Sequence, residues 1–138
     1  MSEIRENKEL LQNSFQKIAD LLVPCLPEDW RSLVIGHFYT SRNPLSNQVF
    51  FLKADEDYFD LLKYAWDTEN TELEDAILDA TDVLNEIHEH CAGQKDDWTE
   101  MTIVLMSDGP FHSHFEYDEI PEFSGDFLLE WKSRYLMN

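Results

Sequence analysis

Six carboxylates, Glu72, Asp75, Asp79, Asp82, Glu86 and Glu89, recur at intervals of three, four, three, four and three residues. On an α-helix that spacing lines them along one face. The stretch from Thr71 to Cys91 contains no Lys or Arg to pair with them. Like charges three or four residues apart cost a few tenths of a kcal/mol each, so five successive pairs cost about 1–2.5 kcal/mol. A solvated face in an acidic protein is the bland reading. The sharper reading is a surface that meets a strongly basic partner.

Two other groups could do chemistry. His112, His114 and Glu116 alternate, so on a strand all three point the same way, and imidazoles with a carboxylate can bind a divalent metal. A plain exposed polar strand face is the simpler account of them. His88, His90 and Cys91 cluster at a helix end but do not all share a face, and a histidine there commonly serves the helix dipole. Only four glycines occur, with no phosphate-cradling loop and no nucleophile-elbow pattern. The paired carboxylates have no apolar pocket beside them to separate their pKa values. No catalytic residue, metal or cofactor is expected, and the chain reads as a protein without enzymatic activity.

The elements that must position these residues follow from periodicity. Leu11, Phe15, Ile18 and Leu22 step as a helix over residues 3–23, which Pro24 ends. Leu33 to Tyr39 is β-rich, Ser41 to Asn47 reads as a turn, and Gln48 to Leu52 returns as a second strand. Tyr58 to Trp66 fits a third strand or a short helix, with the strand preferred. Thr71 and Glu74 match a capping box. Leu73, Ile77, Ala80, Leu84, Ile87 and Cys91 then mark the apolar side of a helix, opposite the carboxylates. Trp98 to Met106 and Phe111 to Tyr117 form a second hairpin, with His112, His114, Glu116 and Asp118 on its wet face. A last helix from about Ser124 carries Phe127, Trp131 and Tyr135. The expected fold is α+β: a single domain over 1–138, with an antiparallel sheet of about five strands and N-terminal, central and C-terminal helices packed on it.

Charge excludes some partners. The formal net charge is −19, and fifteen of the 29 acids lie between residues 55 and 97. Such a field repels nucleic acid and anionic membrane and speeds encounter with a basic protein. Direct nucleic-acid binding and membrane association are therefore not expected. Cys25 and Cys91 are too few for a disulfide framework and read as buried free thiols. The N-terminus lacks the apolar run of a secretory signal, and no segment is long and apolar enough to span a bilayer. A cytoplasmic location is expected.

The C-terminal third carries a recognisable pattern: Trp98-Thr99-Glu100-Met101-Thr102, then Gly109-Pro110-Phe111, then Phe115-Glu116-Tyr117-Asp118, then Trp131-Lys132-Ser133-Arg134-Tyr135-Leu136. With Leu26-Pro27-Glu28-Asp29-Trp30 upstream, it resembles the YezG-type antitoxin (immunity protein) family. The resemblance is weakest between Asp55 and Asn70. It implies an α+β inhibitor of a secreted polymorphic toxin, typically a nuclease, and it transfers no catalytic residue.

A nuclease grips phosphate with a basic cleft, and an acidic face can cover such a cleft. Asp75, Asp79, Asp82, Glu86 and Glu89 are the candidate toxin-binding residues, with Asp55, Glu56 and Asp57 as a second patch. The competing expectations are an acidic adaptor whose charge serves only solubility and, more remotely, a small metal-binding protein using His112, His114 and Glu116.

Overall fold

A computed structural model describes residues 2–40, 43–54, 57–91, 98–109, 111–117 and 125–136, with side chains described for these except 2–8, 39–40, 43–47 and 90–91. In chain order the elements are α1 (Ser2–Leu22), a short 3-10 turn (Val23–Cys25), β1 (Trp30–Thr40), β2 (Asn43–Ala54), β3 (Asp57–Asp60), α2 (Leu61–Asp67), α3 (Thr71–Cys91), β4 (Glu100–Met106), β5 (Phe111–Glu116) and α4 (Gly125–Tyr135). The fold class is α+β, as the order of periodicities predicts. Internal contacts gather into two compact units, one of residues 1–28 and 62–97 and one of residues 29–61 and 98–138.

The first unit is helical. α1 buries Phe15, Ile18, Ala19 and Leu22, and it packs against α3. α3 buries Leu73, Ala76, Ile77, Ala80, Val83, Leu84 and Ile87 on one side. Five of those are large aliphatics worth about 1.5–3 kcal/mol each on burial, so on the order of 10 kcal/mol outweighs the repulsion among the carboxylates. Burial decides that the helix forms.

A tight corner joins α2 to α3. The Asn70 amide donates to the Ala65 carbonyl at 2.9 Å and the Glu69 amide to the Trp66 carbonyl at 3.1 Å. Those two bonds are a Schellman stop, and Glu69 takes the left-handed position with φ of 54°. The same corner then starts the next helix, because the Asn70 side-chain oxygen accepts from the Leu73 amide at 3.1 Å. The cap is therefore Asn70, one residue before the expected Thr71. A non-glycine residue in the left-handed region costs about 1 kcal/mol. Glu69→Gly is accordingly expected to raise stability by about 1 kcal/mol, readable as a higher urea midpoint at unchanged slope.

The second unit is the sheet, in the order β3-β2-β1-β4-β5, with every neighbouring pair antiparallel. Two boundaries differ from expectation. β2 begins at Asn43, inside the expected turn, and pairing resumes at Thr40↔Asn43. Pro44 is tolerated there because β3 pairs only with Phe51–Ala54, so at residue 44 no donor is required on that side. The segment expected as one strand, Tyr58 to Trp66, is a four-residue strand that turns into a helix at Leu61.

Strand alternation gives the sheet two faces. Leu33, Ile35, Leu52, Met101, Ile103 and Leu105 are buried on one. On the other, α4 packs Trp131 into a cluster with Val34, Phe38 and Phe51. The Trp131 ring meets Phe38 edge-on at 5.6 Å between centroids. Its indole Nε1–H donates to Thr102 Oγ1 at 2.9 Å. Gly36 makes room for the ring: a Cβ there would lie 2.8 Å from Trp131 Cζ2 and 2.7 Å from Phe38 Cζ.

Candidate functional site

The apolar side of α3 fixes its rotation, and rotation fixes where the carboxylates point. Glu72, Asp75, Asp79, Asp82, Glu86 and Glu89 are all exposed. Among the described residues none of them joins a salt bridge. Leu78 lies within this face, three residues after Asp75 and four before Asp82, and it is 62 % exposed. Periodicity points to the carboxylates but not to Leu78, which breaks the apolar repeat that marks the buried side. Asp57, at the start of β3, is also exposed. Asp55 and Glu56 lie outside the described residues, so of the second patch only Asp57 has a place in the structure.

β5 sets His112, His114 and Glu116 on one face, as alternation predicts, opposite Val104, Thr102 and Glu100 of β4. That face is less open than expected, because α4 lies on the same side of the sheet. The His114 ring lies 6.2 Å from that of Tyr135, centroid to centroid. His114 Nε2 and Glu116 Oε1 are 2.7 Å apart, so this pair satisfies itself. Among the described residues no group of three or more His, Cys, Asp or Glu is arranged to hold a metal ion.

Glu100, next to this pair, escaped the sequence reading because a polar residue at a strand start looks like an exposed one. It is buried, with 2 % of its surface accessible. Its Oε1 lies 3.5 Å from Arg134 Nη2, and its Oε2 has no hydrogen-bond partner among the described residues. Burial pushes the Glu100 carboxyl above its ordinary range, helped by the Glu116 charge, while Arg134 and His114 pull the other way. Burial likewise raises the Tyr135 hydroxyl.

The first cysteine departs from expectation. Cys25 is a free thiol but only half-buried, with Sγ 3.9 Å from the Leu21 carbonyl oxygen. Burial and the neighbouring Glu72 charge raise its pKa, so the reactive thiolate is disfavoured. The Cys91 side chain lies outside those described.

Fold and chemistry together describe an α+β protein whose most distinctive described surface is a helix face of carboxylates. The chain belongs to the YezG-like immunity proteins, whose family model matches residues 11–136. No curated protein matches the chain. The residues behind the resemblance are structural: Trp131 of the closing motif bonds Thr102 of the Trp98–Thr102 motif, clasping α4 to the sheet, and Tyr135 packs against the Trp131 ring. Membership points to an immunity role exercised by binding a toxin. No helix among the described residues is long and apolar enough to cross a membrane.

Proposed function

We propose that this protein neutralises a basic toxin domain, a nuclease, by covering its phosphate-binding cleft with the exposed face of α3. The observation that supports this reading is the uncompensated stripe from Glu72 to Glu89, wholly exposed and held at a fixed rotation by the buried face behind it. Asp75, Asp79, Asp82, Glu86 and Glu89 supply the charge complementary to a cleft that binds phosphate. Leu78 in their midst provides an apolar contact that loses water when the partner docks. Asp57 belongs to a second, smaller patch proposed with Asp55 and Glu56. The protein acts in the cytoplasm of the cell that makes the toxin.

Where a neighbouring gene encodes a toxin domain, co-expression with that domain tests the reading. The expected result is restored growth, co-purification as a stoichiometric complex, and an affinity that falls steeply between 50 and 500 mM salt. Growth rescue without complex formation would overturn binding as the mechanism. A salt-independent affinity would remove the acidic face from it. Weak affinity that is equal for unrelated basic proteins would favour an acidic adaptor instead.

A further inference from the structure

Beneath the last turn of α4 the sheet buries one carboxyl group, that of Glu100. Glu100 and Glu116 are direct partners in the β4–β5 register. Glu116 is engaged by His114 at 2.7 Å, whereas Glu100 Oε2 is buried with no partner among the described residues. An ionised carboxylate offers about four lone-pair sites. Burying one with half of them empty, opposite a second carboxylate, is unfavourable; a neutral carboxyl there costs far less. Among the described residues, the charged and titratable groups around Glu100 are Glu116 and His114 on β5 and Arg134 and Tyr135 on α4. Its register partner on β1 is the uncharged Phe38. Arg134 does not settle the matter: its contact is long, and its own side chain is 42 % exposed to competing water.

We infer that Glu100 holds a proton on its buried carboxyl, and that its loss to solvent loosens the last turn of α4. The mechanism follows from position. Arg134 and Tyr135 sit on that turn, and the Arg134 guanidinium lies 3.5 Å from Glu100 Oε1. Lifting the turn lets water reach Oε2 and solvate the new charge. The raised carboxyl agrees in sign. The folded protein binds this proton more tightly than the unfolded chain does. Its stabilising contribution is therefore complete below the ordinary glutamate pKa and is lost as pH rises through the folded value.

The test compares the full-length protein with Glu100→Gln from pH 4 to 9, because carboxylates remote from Glu100 are common to both and cancel in the difference. Expected is a melting temperature for the variant about 3 °C above the parent at pH 8, with the gap closing toward pH 4. Amide hydrogen exchange at residues 132–136, corrected for its intrinsic pH dependence, should accelerate several-fold with rising pH in the parent and not in the variant. A gap that does not change with pH, or exchange that stays constant in the parent, overturns the inference. Direct carbonyl-carbon NMR titration of Glu100 in the unmodified protein decides the case even where the variant fails to fold. An ordinary glutamate value there refutes the retained proton.

Discussion

Replacing both Asp79 and Asp82 by lysine is expected to slow association with the toxin domain by about 10- to 100-fold at low ionic strength, and to flatten the salt dependence of the on-rate. Folding should be nearly untouched. Both side chains are exposed. The new lysines would stand four residues from Asp75 and from Glu86, spacings that turn two repulsions into attractions of a few tenths of a kcal/mol each. Stopped-flow association at several salt concentrations, beside a thermal melt, measures the two effects separately. The control is an equal charge reversal at Asp20 and Glu28, exposed residues outside α3. If the control slows association as much as the α3 variant does, net charge alone is at work. An unaltered on-rate in the α3 variant would take this helix out of the interface.

The second large effect concerns stability. Trp131→Ala should destabilise by about 3–5 kcal/mol, a substantial fraction of the total for a domain of this size. The loss combines three things: the ring volume in the cluster with Val34, Phe38 and Phe51, the edge-on contact with Phe38, and the hydrogen bond to Thr102. Trp131→Phe keeps most of the first two and should cost about 1–2 kcal/mol, chiefly through the unpaired Thr102 hydroxyl. Urea denaturation gives both numbers. Trp131→Phe should leave the on-rate for toxin unchanged, whereas the Asp79/Asp82 double reversal should change the on-rate and not the midpoint. Losing that separation would mean that the clasp and the acidic face are not independent.

How far the fold can be read in advance depended on whether a local pattern had rivals. α3 was legible because the apolar repeat and the acidic repeat are complementary over five turns, and each alone implies the same rotation. Its first residue was not, because Asn70 and Thr71 are both good caps, and only the Schellman stop after α2 places Asn70 in the capping position. Pro44 and the asparagines around it resemble a turn. They lie in a strand because β3 is too short to demand a donor from them. Residues 58–66 hid a boundary, since an aromatic-rich run satisfies a strand and a helix about equally well until Leu61 is seen to start α2.

The candidate site divides in the same way. Exposure of the carboxylates followed from spacing alone. The burial of Glu100 did not, because the residue it meets, Arg134, arrives on a helix 34 residues later. The covering of the His114 face came from the same late helix.

The missing bases on α3 have a practical corollary. Between Lys63 and Lys95 the chain offers trypsin no cleavage site, and amine-directed reagents have no lysine to modify there. The same helix presents six solvent-facing carboxyl groups. Carbodiimide activation would therefore make α3 a zero-length ruler, joining it to lysines of whatever protein lies against it. Each cross-linked peptide would name a residue on the partner's side of the contact.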